Sequence, residues 1–285
     1  MLNTILNVDG DEGQSIPLII DSTHSGQVYP SDFNHQADFS MLRQAEDTYV
    51  DELYKHISSI GGIILDAKFP RSYIDLNRSE TDFSSIDILD ANNSFNEIKF
   101  KPSVKSELGI GLIWLRIPPN GEPMYANKIT LKELMKRVQN YYRPYHKTLK
   151  SIMDKTYRQF GKFYHINAHS MQDKASTMST QAQGTKRPDF VIGDRDGTSC
   201  ERAFRNVIIE YLRDLKYNVA VNDPYKGFEL VSAYSSPLMD KHSIQIEVNR
   251  RLYMNEETRI KNAGFNELKS NLKGLLEAIK VWIKY

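Results

Sequence analysis

The stretch Ser243-Ile-Gln-Ile-Glu-Val248 alternates polar and apolar residues, which is the pattern of a β-strand with one face against a core. On this prediction its three apolar side chains share one face, while Gln245, Glu247 and Asn249 share the other. Other short apolar runs bounded by turn residues predict further strands at 17–20, 62–65, 163–166, 189–192, 218–221 and 228–231.

Helical patterns lie between these runs. They cover residues 41–60, 131–157 and 204–215, and an apolar stripe runs from Phe265 to Trp282. The capping box of Thr130 with Glu133 precedes the pattern at 131–157, and the capping-box spacing Thr198-Ser-Cys-Glu201 precedes the pattern at 204–215. Pro144 should kink or divide the pattern at 131–157. The alternation of strands and helices predicts an α/β sheet covered by helices. Because the chain has no repeat, low-complexity tract or Gly/Ser linker, we expect one domain over residues 1–285.

The composition is that of an ordinary globular protein and argues against fibrous, disordered and membrane classes. Lysine and arginine number 37 against 36 acidic residues, so nothing in the net charge predicts a nucleic-acid or membrane partner. Cys200 is the one cysteine and cannot form an internal disulfide. With no signal-peptide pattern in residues 1–21, we expect a cytoplasmic location.

Two histidines follow predicted strands: His24 comes after residues 17–20, and His169 after residues 163–166. In open α/β sheets, ligands gather beyond the carboxyl ends of the strands. The pair Glu46 and Asp47 begins the next helical pattern and offers a carboxylate. Two imidazoles and one carboxylate, with a position left for water, have the composition of a catalytic zinc site. Other divalent metals suit the same ligands, and each histidine could equally be an ordinary loop residue.

Glu247 stands in a predicted interior strand, where a carboxylate is costly to bury without a partner. A catalytic glutamate would account for its position. A salt bridge to Arg78, Arg250 or Arg251 would account for it equally.

Three further features bear on a site. Arg71 and Arg78 flank Asp75-Leu-Asn77, and a guanidinium there could bind a carboxylate by two parallel hydrogen bonds, or could be a solvated surface group. Residues 79–127 form a long excursion that either shapes an active site or is a surface insertion. His165 is expected to be a buried, hydrogen-bonded residue, and Cys200 a small packed one without a neighbouring base.

Several segments together resemble the N-formylglutamate amidohydrolase family. They occur in the family's order from about residue 16 to 255: Thr23-His-Ser-Gly26 with Tyr29-Pro30, Glu46-Asp-Thr-Tyr-Val-Asp-Glu-Leu53, Arg71-Ser-Tyr-Ile-Asp-Leu-Asn-Arg78, Asn167-Ala-His-Ser-Met171, Arg187-Pro-Asp-Phe-Val-Ile-Gly-Asp194 with Gly197-Thr-Ser-Cys200, Asp223-Pro-Tyr-Lys-Gly227 and Gln245-Ile-Glu-Val-Asn-Arg-Arg-Leu-Tyr-Met254.

The resemblance implies a zinc-carboxypeptidase-like (phosphorylase/hydrolase-like) fold with a mixed sheet between helix layers. It also implies hydrolysis of an N-acyl amino acid such as N-formyl-L-glutamate. The residues that it assigns are one zinc ion per chain on His24, Asp47 and His169, Glu247 as general base and acid, and Asn77 with Arg78, together with Arg71, as the clamp on a substrate carboxylate. Asn167 departs from the family, whose members commonly have aspartate there.

Two other functions remain open at this point. The same site could act on a peptide C-terminus, a cell-wall fragment or another acylated amino acid. Alternatively, the chain could be a non-catalytic binding protein that holds acidic ligands with Arg78. Glu247 argues against a binding protein, which has no need of a general base.

Overall fold

A seven-stranded mixed sheet forms the centre of the computed structural model, which describes residues 2–84, 88–89, 100–179 and 181–284. The strands of this sheet and of a separate two-stranded ribbon are β1 (Leu6–Asp9), β2 (Leu18–Ser22), β3 (Ile63–Ala67), β4 (Arg116–Ile117), β5 (Glu122–Pro123), β6 (Phe163–Met171), β7 (Phe190–Gly193), β8 (Val219–Val221) and β9 (Lys241–Asn249). The sheet order is β1-β3-β2-β6-β9-β7-β8. β1 is antiparallel to β3 and β7 to β9, and the other neighbours are parallel. The predicted α/β class with a mixed sheet is therefore confirmed.

Helices cover both faces of the sheet. They are α1 (Leu2–Ile5), α2 (Phe39–Arg43), α3 (Val50–Tyr54), α4 (Val104–Glu107), α5 (Leu131–Arg137), α6 (Arg143–Phe160), α7 (Arg202–Asp214), α8 (Glu229–Tyr234) and α9 (Phe265–Lys284). Ile19 of β2 shares a core cluster with Leu149 and Ile152 of α6, whereas Leu18 and Ile20 share another with α3, α7 and α9. Adjacent residues of one strand thus face opposite helix layers. Among the described residues, no helix combines the length and apolarity that a bilayer crossing needs.

The alternation predicted for β9 is confirmed. Ile244, Ile246 and Val248 are fully buried in the core cluster that includes α7 and α9. Gln245 and Glu247 point to the other side of the sheet, where they line the cavity described below. The strand therefore supports the core with one face and the site with the other.

The strand predicted at 228–231 is wrong, because this segment starts helix α8 with Phe228 as its N-cap. A four-residue apolar run does not distinguish a strand from a buried helical turn. Here the Leu230 N–H donates to Oδ1 of Asn77 at 3.0 Å, so the start of the helix is fixed by a side chain distant in sequence.

The single helix predicted over 41–60 is also wrong. The chain forms α2, leaves helical geometry, resumes as α3 and ends in a 3-10 helix, Lys55–Ile60. Tyr49 has a left-handed φ of 69°, and the Asp47 N–H donates to the His24 carbonyl at 2.9 Å. Glu46 and Asp47 therefore lie in a turn rather than on a helix, and this turn places Asp47 beside the end of β2.

Of the two predicted capping boxes, the one at Thr130 and Glu133 is confirmed at the start of α5. The one at Thr198 and Glu201 is wrong, since α7 begins at Arg202 without a side-chain cap. The Thr198 hydroxyl donates instead to a carbonyl within its own loop, and the Glu201 carboxylate accepts from Tyr164.

Pro144 divides the helical pattern from residue 131 as predicted. It lies in the first turn of α6, after a π-helical segment, Val138–Tyr142, that links α5 to α6. Proline is tolerated in a first turn because its missing N–H has no helical partner there.

Candidate metal centre and active-site cavity

Three neighbouring parallel strands bring the site residues together. His24 lies two residues beyond the end of β2, and His169 lies near the end of β6. In the register of β6 with β9, His169 is directly opposite Glu247. The strand ends therefore meet at one edge of the sheet, as expected for an α/β fold.

His24, Asp47 and His169 form a buried group in which one possible ligand atom from each residue lies within 4.8 Å of the other two. Oδ2 of Asp47 is 3.1 Å from Nδ1 of His169 and 3.4 Å from Nδ1 of His24. The two imidazole ring centres are 4.7 Å apart. The three side chains that the family resemblance assigned as metal ligands are thus within reach of one ion.

The far nitrogen of each ring is held by an oxygen acceptor. Nε2 of His24 lies 2.8 Å from Oδ1 of Asp75, and Nε2 of His169 lies 2.6 Å from Oδ1 of Asn167. The Asn167 amide in turn donates to Asp21 at 2.8 Å, so its oxygen faces His169. With the hydrogen on Nε2 of each ring, facing these oxygens, Nδ1 of each is left as a possible lone-pair donor.

This arrangement fits a cation. Nδ1 of His24 is buried and has no hydrogen-bond partner among the described residues. If each Nδ1 is unprotonated, two lone pairs and a carboxylate oxygen face one another, and this is unfavourable unless a positive ion lies between them. Buried histidines held from behind by carboxylate or amide oxygens are the usual surroundings of a metal ion.

The second oxygen of Asp47 is bound by a cation. Oδ1 accepts from the Arg250 guanidinium at 2.8 Å and from the Ser170 hydroxyl at 3.1 Å. Burial alone would raise the pKa of Asp47, but the charge of the Arg250 guanidinium opposes burial, and this pKa is held well below its usual range. Asp47 is therefore an anion whose orientation is fixed.

Glu46, the other carboxylate of the pair, points elsewhere. Its oxygens accept from the hydroxyls of Tyr29 and Thr48, at 2.8 and 3.1 Å, and from Arg43. The structure thus places Asp47, and not Glu46, beside the two histidines.

Glu247 is only 7% exposed, and its Oε1 accepts from Nε2 of Gln245 at 2.8 Å. Burial, and then the nearby Asp47 charge, raise the pKa of Glu247. The three arginines considered as its ion-pair partners are engaged elsewhere: Arg250 with Asp47, Arg251 with two other aspartates, and Arg78 with backbone carbonyls. Within the described ranges, no salt bridge therefore accounts for this buried carboxylate.

A cavity of about 520 Å³ opens beside the group. Its wall includes His169 and Glu247, and its cationic side chains are the arginines Arg71, Arg78, Arg187, Arg195 and Arg250 and the lysines Lys105 and Lys226. The carboxylates on the wall are Glu247 and Asp196. This surplus of positive charge favours an anionic ligand.

The long excursion at 79–127 contributes to this cavity through Lys105, Ile110 and Trp114. It is therefore not merely a surface insertion. Part of it, including residues 86 and 87 of the apolar piece at 86–89, lies outside the described residues.

The predicted substrate clamp lies on the cavity wall, but two of its members are already engaged by the protein. Arg71 donates to Asp75 through Nε and Nη2, at 3.2 and 2.8 Å. Asn77 accepts from the Leu230 N–H, and its Nδ2 lies 3.3 to 3.4 Å from the side-chain oxygens of Asn167 and Gln245. Arg78 stacks on the Phe228 ring, with 4.5 Å from its central carbon to the ring centre.

Sequence reasoning missed Asp75 as the acceptor behind His24, and Arg250 as the partner of Asp47. Asp75 stands in the same short motif as Asn77 and Arg78, so a search of that motif for carboxylates near a histidine could have found it.

Two other expectations are confirmed. His165 is buried between Ser243 and Asp21, and Cys200 is packed in the core, where burial raises the pKa of its thiol to about 12.

A mixed α/β sheet that carries two histidines, an aspartate and a buried glutamate at one edge has the composition of a metal-dependent hydrolase site. The family model for N-formylglutamate amidohydrolase matches residues 16–254, and the chain belongs to that family.

Similar proteins span nearly the whole chain. A curated N-formylglutamate deformylase from Pseudomonas putida is 26% identical, with 94% of this chain and 93% of the relative covered, and one from Pseudomonas aeruginosa is 23% identical, with 94% of each covered. The crystal structure of N-formylglutamate amidohydrolase from Ralstonia eutropha JMP134 has a TM-score of 0.92 at 38% identity, with 98% of each chain covered.

Proposed function

We propose that this chain is a zinc-dependent hydrolase of N-formyl-L-glutamate or a closely related N-acyl amino acid, releasing formate or another carboxylate and the free amino acid. The observation that carries the proposal is the convergence of His24, Asp47 and His169 beside Glu247 in a cation-lined cavity. Membership of the N-formylglutamate amidohydrolase family supports the substrate, as do two relatives named as deformylases of N-formylglutamate.

One zinc ion per chain would be held by Nδ1 of His24, Oδ2 of Asp47 and Nδ1 of His169. When bound, a zinc ion supplies polarisation of the formyl carbonyl and a lowered pKa for water. Asp75, Asn167 and Arg250 keep these three donor atoms in place by binding the opposite side of each ligand.

Glu247 moves the proton. Its raised pKa suits a carboxylate that takes a proton from the attacking water and later returns it to the leaving nitrogen. Oε1 is held by Gln245, so Oε2 is the oxygen left for this transfer. The water oxygen bonds to the formyl carbon and the C–N bond breaks, so the products are formate and the amine of the amino acid.

The cations of the cavity bind the substrate's carboxylates. Arg78 is held through Nε and Nη1 by backbone carbonyls, which orient its guanidinium, and Oδ2 of Asp82 lies 4.0 Å from its Nε. Arg71 and Asn77 form the adjacent part of the wall and complete the proposed clamp.

The test is hydrolysis by protein of measured zinc content. Zinc-loaded protein is incubated with N-formyl-, N-acetyl- and N-succinyl-L-glutamate, and amine and carboxylate release are followed by NMR. We expect formate and glutamate from the first substrate, loss of turnover after chelation, and recovery on adding zinc. Fully loaded protein that turns over none of the three would overturn the proposal in favour of a binding protein.

A further inference from the structure

Lys105 differs from the other cations of the cavity in having neither a hydrogen-bond nor an ion-pair partner for its side chain among the described residues. Arg71, Arg250 and Lys226 each have a carboxylate oxygen at 2.8 Å. The guanidinium of Arg187 donates three hydrogen bonds to protein oxygens. The Lys105 ammonium makes no hydrogen bond or ion pair with any residue that the structure describes, although it lines the cavity.

The backbone of Lys105 is nevertheless firmly placed. Asp82 accepts from the Ser103 N–H at 2.7 Å and from the Ser103 and Ser106 hydroxyls at 2.9 and 2.5 Å. Ser103 is also the N-cap of α4 and accepts from the Lys105 N–H at 3.2 Å. The buried Asp82 carboxylate thus fixes the short helix that carries Lys105.

The same carboxylate and one residue, Ile110, connect Lys105 to Arg78. Oδ2 of Asp82 lies 4.0 Å from Nε of Arg78. The Ile110 carbonyl accepts from Nε of Arg78 at 3.3 Å, while the Ile110 N–H donates to the Lys105 carbonyl at 2.9 Å. The two cations therefore belong to one fixed unit of the cavity wall.

The charged form of Lys105 is unfavourable in this position unless an anion is bound beside it. Burial, and then the charges of Arg78, Arg71 and Arg187, lower the pKa of Lys105 to about 8. A carboxylate bound between Lys105 and Arg78 would relieve the repulsion between them and supply the missing hydrogen-bond acceptor.

We propose that Lys105, together with Arg78, binds the side-chain carboxylate of an acidic N-acyl amino acid and so selects glutamate-like substrates over neutral ones. This inference rests on the proposed function, which it deepens. Lys105 is a specificity-determining residue, separate from the residues that transfer the proton.

The charges around Arg71 and Arg78 indicate which of these arginines binds the α-carboxylate of the substrate and which binds its side-chain carboxylate. Asp75 acts on both Arg71 and Arg78. Of the other carboxylates, Asp47 and Glu247, which lie beside the reacting bond, act on Arg71, whereas Asp82 and Glu229 act on Arg78. The α-carboxylate is one carbon from the amide nitrogen and belongs near Arg71. The side-chain carboxylate, two methylenes further out, reaches Lys105 and Arg78.

The test compares N-formyl-L-glutamate with N-formyl-L-glutamine, which has the same shape but a neutral side chain. Lys105→Met should lower kcat/KM for the glutamate substrate by about 10- to 100-fold, mainly through KM, because a hydrogen bond to a charged group is lost. Its kcat/KM for the glutamine substrate should be unchanged, and Lys105→Arg should recover part of the loss. Lys101→Met is the matched control, since Lys101 is exposed and is not part of the cavity wall.

The outcomes separate this inference from the proposed function. If wild type is active, two results would overturn the inference: Lys105→Met loses the same fraction of its activity on both substrates, or it keeps full activity on both. If zinc-loaded wild type hydrolyses neither substrate, the proposed function fails, and calorimetric titration with glutarate decides the role of Lys105. Glutarate binding that is lost in a Lys105→Met protein of unchanged melting temperature supports the inference; absent or equal binding overturns it.

Discussion

Nε2 of His24 lies 2.8 Å from Oδ1 of Asp75, and both side chains are fully buried. Arg71 binds the other oxygen of the same carboxylate at 2.8 Å. Burial alone would raise the pKa of Asp75, but Arg71 and His24 outweigh it and hold this pKa well below its usual range. Asp75 is therefore an anionic acceptor that directs Nδ1 of His24 towards Asp47 and His169.

Asp75→Asn should weaken metal binding by about 10- to 100-fold, the usual effect of losing a hydrogen-bond partner behind a metal ligand. Asparagine keeps an oxygen near His24 but removes the charge. The dissociation constant is measured by competition with a chromophoric chelator. Asp154→Asn, which alters an exposed carboxylate on α6, is the control. An unchanged constant would remove Asp75 from the support of the metal centre.

His24→Ala and His169→Ala should each abolish zinc binding at one ion per chain, since each removes one of three proposed ligands. Asp47→Asn should weaken it strongly, while Glu46→Gln should retain full zinc, because the Glu46 oxygens face Tyr29, Thr48 and Arg43. Elemental analysis of the purified proteins gives the metal content. Full zinc in both histidine variants would show that the assignment is wrong.

Glu247→Gln should lower kcat by at least about 100-fold while KM changes little, because the amide cannot transfer a proton. Zinc content and melting temperature should match wild type. Gln245→Glu cannot serve as the control for this variant, because it would disturb the hydrogen bond that Gln245 donates to Glu247. A folded, zinc-loaded Glu247→Gln enzyme with nearly normal kcat would leave Glu247 without a catalytic role.

Arg78→Ala should raise KM for N-formyl-L-glutamate by at least about 30-fold, since truncating one partner of a buried charged pair costs roughly 2–5 kcal/mol. Arg78→Lys should restore the affinity only partly, because an ammonium does not reproduce two parallel hydrogen bonds. Steady-state kinetics measure both variants. Arg143→Ala, at an exposed arginine paired with Glu80, should leave KM unchanged.

The burial of Asp66, which lies outside the candidate metal centre, should make the stability of the protein depend on pH. Its Oδ1 is buried without a hydrogen-bond partner among the described residues, and burial, and then Asp51, raise the pKa of Asp66 to about 7. The folded state therefore holds a proton that the unfolded chain, with a pKa of about 3.9, releases more readily. The free energy of unfolding contributed by this group falls as the pH rises from about 4 to about 7.

Asp66→Asn removes this titration. Relative to wild type, the variant should gain stability between pH 4 and pH 8, by about 1 kcal/mol or more. Urea denaturation at both pH values measures the change. A difference between the two proteins that stays constant with pH would contradict the prediction.

The sequence alone predicted those features of the fold and of the site that depend on a local pattern of residues. Alternation in residues 243–248 predicted the faces of β9, and polar residues after apolar runs predicted where His24 and His169 would meet. The helix break at Asp47 was not predictable, because it depends on a hydrogen bond to the His24 carbonyl across the fold. The pairing of Arg250 with Asp47 likewise depends on residues far apart in the chain. The resemblance supplied Asp47 over Glu46, a choice that the local pattern left open.

His169 and Glu247 are cross-strand neighbours on β6 and β9. The separation between adjacent strands in a sheet is about 4.8 Å and is set by backbone hydrogen bonds. The backbone spacing between His169 and Glu247, the residue that we propose as the proton carrier, is therefore set by the sheet and does not depend on a loop. The loop at 173–179, which lines the cavity through Ser176, Met178 and Ser179, can diverge and admit other acyl groups or side chains while this spacing stays the same, so the proposed reaction can be retained as specificity changes.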